Sequence, residues 1–242
     1  RILVLCVCCT SLLMVALDNT IVNVALPALG EDLHAPLSGL QWTMDAYTLT
    51  LAGLLILSGS VADRIGRRRV FRTGLLIFTA GSLLCGIAPN LPGLVAFRVV
   101  QAVGGSMLNP VALSIITTTF TDPKERAQAI GVWGGVAGIS MALGPLTGGV
   151  LTETAGWRAI FWINVPIGLL AWVLTGRFVP ESKARRPRAI DPVGQLLMIS
   201  LLVSLTYGII EAPHAGRAVG LGCGAVAAAA LAALVWYESR RP

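Results

Sequence analysis

Apolar residues along this chain form long continuous runs that are separated by short polar segments. A helix needs about 20 apolar residues to cross the roughly 30 Å of a bilayer's hydrocarbon core, and eight runs reach that length. They lie approximately at residues 2–27, 42–62, 71–89, 92–119, 127–152, 159–179, 192–211 and 217–237. The first run resembles a signal peptide but has no small-residue cleavage site before its polar break. The pattern therefore predicts eight transmembrane helices.

Composition points the same way and excludes a soluble globular protein. Of the 242 residues, 55% are hydrophobic and only 12% are charged, with a mean hydropathy of +0.77. This charged share is about half that of an average soluble domain. The 27 glycines favour closely packed helices over a barrel. The five cysteines lie in apolar runs, and the sequence has no metal-binding cluster or nucleophile–base pattern, so we expect neither an enzyme nor a cofactor.

The basic residues are placed in short loops between the apolar runs. The net charge is +6, but this placement does not form the basic face that nucleic acid would need, so we expect no nucleic-acid partner. Most of the 18 lysines and arginines fall in alternate loops, including 64–72 and 177–188. The positive-inside rule then places both ends of this segment in the cytoplasm of a cell whose inner or plasma membrane holds the protein.

Two helix ends repeat the same motif ninety positions apart. Segment 59–67 ends helix 2 and segment 149–158 ends helix 5, and both read Gly-x-x-x-acid-x-x-Gly followed by Arg. The predicted topology puts them on opposite sides of the membrane, which is typical of an inverted three-helix repeat. Coincidence between two glycine-rich helix ends is the alternative. Six helices then form one 3+3 bundle, and helices 7 and 8 are an additional transmembrane hairpin.

Of the ionisable residues within the predicted spans, Asp18 and Arg98 stand out because they lie at similar depth. Asp18 precedes Pro27, the expected outer end of helix 1, by nine residues, and Arg98 follows Pro92 on helix 4 by six. At 1.5 Å per residue these are depths of about 13 Å and about 9 Å. Charged groups in a membrane pair with one another and mark functional sites. Asp18 and Arg98 are therefore candidates for a proton-exchanging pair, or for a structural ion pair that only orients helices.

Several amides share the same helices. Asn19 and Asn23 lie four residues apart on helix 1, and Gln101 follows Arg98 by nearly one turn. Such side chains line an aqueous cavity or serve as hydrogen bonds between helices. The candidates for a substrate cavity are Asn19, Asn23, Tyr47, Gln101 and Asn109.

The end of helix 2 carries a carboxylate that its own helix dipole disfavours. Asp63 lies at the C-terminus of this helix, so it needs a compensating partner, which is either one of the three arginines that follow it or the N-terminus of another helix. Glycines at positions 59 and 66 permit close backbone approach. Alternatively, the arginine run is a positive-inside anchor. The residues of this candidate motif are Gly59, Asp63, Arg64, Gly66, Arg67 and Arg68.

Helix 5 contains small residues at intervals of three or four, which predicts a flat face for a partner helix. The Gly144-Pro145 step removes one intrahelical hydrogen bond and predicts a bend. The residues of this face are Gly138, Gly144, Pro145, Gly148 and Gly149.

At these positions the sequence resembles the major facilitator superfamily, and more closely its fourteen-helix drug:proton antiporters. The resemblance rests on motifs in family order and spacing over residues 17–168. They are the first-helix motif 17–27, the loop 2–3 motif 59–69, the helix-4 motif 98–101, the antiporter motif 138–149 of helix 5 and the segment 157–168 that begins helix 6. Ala102 departs from the family pattern, which usually has glycine directly after this glutamine.

The resemblance implies a domain organisation. It implies an N-terminal six-helix transporter domain at 1–180, a basic cytoplasmic linker at 181–191 and, at 192–242, the hairpin that fourteen-helix members carry between their halves. A C-terminal six-helix half is missing, so we expect this chain to be a fragment. In the family the loop 2–3 motif is thought to latch the two halves together, so without the opposing half we expect its arginine cluster to be solvated.

The resemblance also implies a function. It is export of small amphipathic organic compounds, such as drugs, antibiotics or secondary metabolites, in exchange for protons by alternating access. The proton gradient is then the energy source, Asp18 and Arg98 couple to it, and the partners are the substrate, protons and the lipid bilayer. A symporter or uniporter, or a non-transporting membrane scaffold or sensor, are the alternative functions.

Overall fold

The computed structural model describes residues 1–184 and 191–240, and every regular element in these ranges is an α-helix. Residues 185–190 of the predicted basic linker, and residues 241–242, lie outside the described residues. The helices are α1 (Ile2–Asp32), α2 (Leu37–Ile65), α3 (Arg67–Gly86), α4 (Leu91–Thr119), α5 (Pro123–Ala155), α6 (Ala159–Trp162), α7 (Asn164–Phe178), α8 (Pro192–Ala215) and α9 (Arg217–Ser239). The predicted all-α fold is confirmed over these ranges.

Seven helical segments of the described ranges are long and apolar enough to cross a membrane, with α6 and α7 counted together. The predicted third span, α3, is the exception, because four of its first six residues are arginines. Its remaining length packs against α4 and α7. The eight predicted spans are therefore roughly consistent with the structure, and α3 is the span with a charged end.

Helix 1 does not end at Pro27, and that prediction was wrong. Helix α1 continues to Asp32, because an internal proline removes only its own N–H donor and leaves the other backbone bonds in place. The Asp32 carboxylate accepts hydrogen bonds from Trp157 Nε1 at 3.0 Å and from Arg158 Nη1 at 2.7 Å. These contacts hold the last turn of α1 against the segment that follows α5.

The sixth predicted span is divided. It forms the short helix α6 and the longer helix α7, which meet at Ile163. Pro166 lacks the N–H that would bond to the carbonyl of Trp162, and its ring crowds that carbonyl, so the helix is weakened at the point where it is interrupted. The break lies directly beside Asn164, the first residue of α7.

Helix packing follows the symmetry that the repeat predicts. The pairs α1 with α5, and α2 with α4, are in contact, as are α3 with α4 and α1 with α7. If α1, α2 and α3 are exchanged with α4, α5 and α7 respectively, the α1–α5 contact becomes the α4–α2 contact. The α3–α4 contact likewise becomes the α7–α1 contact. The six-helix unit therefore has the contact pattern of two equivalent three-helix halves.

The repeated motif forms the same backbone feature in both halves. Gly66 and Gly156 are the C-caps of α2 and α5, and both have positive φ, at 129° and 81°. Glycine adopts this conformation without the steric cost that other residues bear. Two residues after each cap, an arginine side chain donates to a backbone carbonyl that lies within another helix or just after its last residue. Arg68 donates to the carbonyl of Gly176 at 2.7 Å, and Arg158 donates to that of Ala88 at 3.3 Å.

The α8–α9 hairpin is fixed to α2 at two depths. Near the middle of α2, the Gln195 side chain donates to the backbone carbonyl of Gly53, where the missing side chain makes room for Ile199. Near the start of α2, Trp42 Nε1 donates to Glu211 at 2.9 Å. The hairpin is therefore attached to the six-helix unit by polar contacts as well as by apolar packing.

Helix α5 packs against α1 along one glycine edge. A Cβ at Gly144 would collide with the Thr20 side chain, and one at Gly148 would lie 3.2 Å from Val24 Cβ. Over the described residues, nothing lies within 4 Å of a Cβ placed at Gly138 or Gly149. The predicted small-residue face therefore consists of two edges. Helix α1 covers the edge with Gly144 and Gly148, whereas no described residue covers the edge with Gly138 and Gly149.

We predict opposite effects for alanine at the two edges. Gly144→Ala should destabilise the full-length protein by about 1–3 kcal/mol, because the added methyl group overpacks the α1–α5 contact. Gly138→Ala should leave stability unchanged or raise it by up to about 1 kcal/mol, since alanine favours a helix over glycine. Thermal unfolding of both purified variants checks this, and equal melting temperatures would contradict the assigned packing.

Candidate functional site

The structure brings Asp18 of α1 and Arg98 of α4 together inside the bundle. Arg98 Nη1 donates to Asp18 Oδ2 at 2.5 Å, and both side chains have 0% exposure. Removing two charges from solvent is costly unless the remaining polar atoms also have partners. The surroundings of each group therefore decide whether the pair is tolerated.

Two amides complete the hydrogen bonding of the carboxylate. Asp18 Oδ1 accepts from Gln101 Nε2 at 2.8 Å and from Asn164 Nδ2 at 3.1 Å. Both amides also donate to Ser82 Oγ, at 2.7 Å and 3.4 Å respectively. The carboxylate is thus held by groups from α4 and α7, and Ser82 of α3 joins the two amides. We call Asp18, Ser82, Arg98, Gln101 and Asn164 the buried polar cluster.

The guanidinium of Arg98 is enclosed on its other sides. Its Nη1 also donates to Gln101 Oε1 at 2.7 Å, and its Nε donates to the Thr43 carbonyl at 3.2 Å. The Tyr47 ring lies 4.0 Å from Arg98 Cζ and the Phe161 ring 5.8 Å from it, both within the range of cation–π attraction. Arg98 Nη2 and the Tyr47 hydroxyl are buried without a hydrogen-bond partner among the described residues.

Glycines let the helices approach closely enough to form this cluster. A Cβ at Gly81 of α3 would lie 2.6 Å from the Cα of Gln101 on α4. Any larger residue at this position would push α3 and α4 apart. The neighbouring Ser82 would then lose its contact with the Gln101 amide, so the small residue is a requirement of the polar network.

The predicted cavity residues divide into two groups. Tyr47 and Gln101 are 0% exposed and belong to the surroundings of Arg98, so they do not line an open cavity in this conformation. Asn19 is half-buried and Asn23 is exposed, and each donates to a backbone carbonyl one turn earlier. Asn109 is half-buried, and its Oδ1 has no partner in the part of the chain that the structure describes.

Sequence reasoning missed three contributors to the site. They are Ser82, Asn164 and the backbone carbonyl of Thr43. An asparagine within an apolar span is a detectable signal, because an amide at that depth needs a partner. Ser82 gives no such signal, since serine also satisfies itself within its own helix, and a backbone carbonyl gives none at all.

At the arginine-rich end of the bundle, where α2 ends and α3 begins, the loop 2–3 motif has partners within this chain. Asp63 Oδ1 accepts from Arg67 Nη2 at 2.9 Å, which supplies the cation that its position requires. Segment 179–184, which follows α7, runs alongside this turn. The Arg67 N–H donates to the Ser182 carbonyl at 2.9 Å, and the Ala184 N–H donates to the Asp63 carbonyl at 3.1 Å.

Glu181 is a partner of this motif that the sequence did not indicate. Its Oε1 accepts from the Arg68 N–H at 3.1 Å, at the N-terminus of α3 where the helix dipole favours a carboxylate. A Cβ at Gly66 would lie 2.5 Å from this oxygen. Gly66 therefore provides room for Glu181 as well as the required positive φ.

The expectation of a solvated arginine cluster was wrong for two of its members. The Arg67 side chain is only 11% exposed and is paired with Asp63, while Arg68 bonds to the Gly176 carbonyl. Arg64 is exposed at the end of α2, and Gly59 faces Pro110 of α4 at ordinary contact distance. The motif is thus joined to its own six-helix unit.

The curated relatives of this chain are resistance and export proteins. It is 41% identical over 221 residues to the tetracenomycin C resistance and export protein of Streptomyces glaucescens. The aligned region covers 91% of this chain and 41% of that protein. It is 45% identical over 202 residues to the puromycin resistance protein pur8 of Streptomyces alboniger, with coverage of 83% and 40%. The chain therefore spans about two fifths of the length of these two relatives.

A solved structure shows the fold of this chain, and a family model shows its family. The crystal structure of the POT family transporter PepTSo matches 99% of this chain and 55% of that one, with a TM-score of 0.64 at 18% identity, which shows a shared fold. Residues 8–237 match the model of the Major Facilitator Superfamily. The resemblance seen in the sequence motifs is confirmed, and the chain belongs to the major facilitator superfamily.

Proposed function

We propose that the full-length protein exports small amphipathic organic compounds in exchange for protons. The observation that carries this proposal is the Asp18–Arg98 pair, a titratable carboxylate bonded to a guanidinium at 2.5 Å without solvent contact. The relatives named for resistance and export support the transport direction. Proton coupling is inferred from the family and from the chemistry of the pair.

A proton on Asp18 changes the charge balance of the buried polar cluster. With the carboxylate ionised, the charges of Asp18 and Arg98 compensate each other. Protonation leaves the Arg98 charge buried and uncompensated, which is strongly unfavourable in an apolar interior. The guanidinium must then contact another anion or water. Protonation of Asp18 therefore favours a conformation in which the α1–α4 contact is changed.

Access to Asp18 requires movement, because the described conformation seals it. The Asp18 side chain has no exposed surface, and Tyr47 and Phe161 lie against the guanidinium, each with 0% exposure. A proton therefore reaches Asp18 only in a conformation in which these helices separate. Alternating access provides such a conformation once in each cycle. Substrate and proton then bind to different conformations of the same bundle.

Substrate contacts and orientation are further parts of the proposal. The half-buried or exposed amides of Asn19, Asn23 and Asn109 supply polar contacts for an amphipathic compound, while Tyr47 and Gln101 act through Arg98. The arginine-rich end faces the cytoplasm by the positive-inside rule. A C-terminal six-helix half completes the substrate cavity in the full-length protein.

Asp18→Asn tests the proton-carrying role directly. We expect the full-length variant to lose at least about tenfold of its efflux driven by a pH gradient, because the amide keeps the shape but cannot exchange the proton. Transport is measured in everted membrane vesicles with a panel of antibiotics. Glu31→Gln, which neutralises an exposed carboxylate on the same helix, is the matched control and should transport normally.

Because Asp18→Asn leaves Arg98 unpaired, its folding must be measured alongside transport. Asp18→Glu keeps the charge and should retain part of the coupled efflux. Normal pH-gradient-dependent transport by a folded Asp18→Asn protein would reject the proposed role. Facilitated substrate movement without a pH dependence would favour a uniporter.

Asn164→Ala tests whether the amide supports the carboxylate. The substitution removes one of the two amide donors to Asp18 Oδ1, and hydrogen bonds to charged groups contribute about 1.5–3 kcal/mol. We expect the melting temperature of the full-length protein to fall accordingly. Asn23→Ala, which removes an exposed amide on α1, should change it little. Equal losses in both variants would contradict a specific role for Asn164.

Asp63→Asn tests the loop 2–3 motif as a latch between the two halves. If the motif stabilises one conformation, its loss should shift the full-length protein towards the inward-open state and slow turnover, with substrate affinity largely kept. Labelling of Ser60→Cys, at a buried position near this end of α2, should then increase. Equal labelling with and without Asp63→Asn would count against the latch and favour a positive-inside anchor.

A further inference from the structure

A cavity of about 690 Å³ opens between α3 and α7 at the arginine-rich end. It lies away from the buried polar cluster, on the outer surface of the bundle. Its polar lining includes Arg68, Arg69, Arg72 and Glu181, and its apolar lining includes Leu76 and Trp172. The Asp18–Arg98 pair does not account for these arginines, and the loop 2–3 motif accounts for the contact of Arg68 with Gly176 but not for Arg72.

The cavity carries an excess of positive charge. Its one lining carboxylate, Glu181, is already engaged by the Arg68 backbone N–H at 3.1 Å and lies 3.6 Å from Arg69 Nε. The Arg68 guanidinium donates to the Gly176 carbonyl, a neutral acceptor. Three positive groups thus face one negative group, so the cavity attracts an anion.

Arg72 is held in place with a donor unused. Its Cζ lies 4.2 Å from the centre of the Trp172 ring, and Gly176 leaves room for it, since a Cβ there would lie 3.1 Å from this atom. The Nε atom is buried and has no acceptor within the described residues. The ring fixes the plane of the guanidinium, which is suited to bidentate binding of a phosphate.

An apolar strip continues from the cavity along the same two helices. Leu76 and Leu83 lie seven residues apart on α3 and are 42% and 47% exposed. Leu169 and Val173 lie four residues apart on α7 and are 47% and 55% exposed. A tryptophan beside arginines at the head of such a strip is the arrangement found where a membrane protein meets the lipid headgroup region. A soluble anion would use the cavity but not the strip.

We propose that this cavity binds the phosphate of an anionic phospholipid, such as phosphatidylglycerol, whose acyl chains lie on the α3–α7 strip. Arg72 and Arg69 contact the phosphate, Trp172 orients Arg72, and the Gly176 carbonyl holds the Arg68 guanidinium. The site shares no residue with the buried polar cluster, although Arg68 and Arg69 also belong to the loop 2–3 motif.

The test measures lipid binding to the purified full-length protein by native mass spectrometry. The probes are dioleoylphosphatidylglycerol, dioleoylphosphatidylcholine and, as a soluble phosphate, glycerol 3-phosphate. Arg72→Gln should weaken binding of the anionic lipid about fivefold, the effect of one cation near a headgroup, and leave the zwitterionic lipid unchanged. Lys124→Gln removes one exposed charge from the same end of the bundle outside the cavity and is the matched control.

Three outcomes would overturn the proposal. One is equal affinity of the wild-type and Arg72→Gln proteins for the anionic lipid, and another is an equal loss in Lys124→Gln, which would indicate a diffuse charge effect. The third is competition by glycerol 3-phosphate at the same concentration as the lipid, which would identify a site for free anions. Should Arg72→Gln unfold, Arg69→Gln replaces it, because that side chain is 70% exposed and its loss leaves the packing intact.

Discussion

The interior of this bundle depends on the cost of keeping a carboxylate and a guanidinium away from water. That cost explains why residues of six helices converge on one ion pair. Asp18 alone requires two amide donors besides Arg98, and Arg98 requires a backbone carbonyl and an aromatic ring. Each partner fixes the position of another helix relative to α1 or α4. The hydrogen-bonding needs of the buried ion pair therefore determine both how the helices are arranged and which polar residues lie in the interior.

The internal symmetry distributes similar chemistry to opposite ends of the molecule. Each half ends its second helix at a glycine with positive φ, and each places an arginine two residues later on a carbonyl of another helix or its end. The ends differ in what surrounds that arginine. Arg158 meets Asp32 and Trp157 at one end, whereas Arg68 belongs to the cluster of arginines at the other. A common scaffold thus carries two different electrostatic surfaces, one at each end of the bundle.

Much of this could be predicted from the sequence, because membrane depth restricts what a residue can do. Spans follow from apolar run length, and a lone acid and a lone base at similar depth predict a pair. Pro27 misled the placement of the end of helix 1, since a proline within a helix leaves most of its hydrogen bonds intact. Serine and backbone partners such as Ser82 and the Thr43 carbonyl could not be found, because neither has a signature that distinguishes it from its neighbours. Glu181 was missed for another reason. It acts across 113 sequence positions from a loop, where no periodicity constrains it.

The attachment of the hairpin to α2 has a mechanical consequence. Because Gln195 and Glu211 bind α2 at two depths, α8 can neither slide along α2 nor pivot about a single point. A rocking six-helix unit must then carry the hairpin through the bilayer with it. Most of the surface of α8 and α9 is not covered by other described residues, so such a movement in a bilayer would displace acyl chains over a wider perimeter than six helices alone would. The rate of any such movement would then depend on the viscosity and thickness of the membrane.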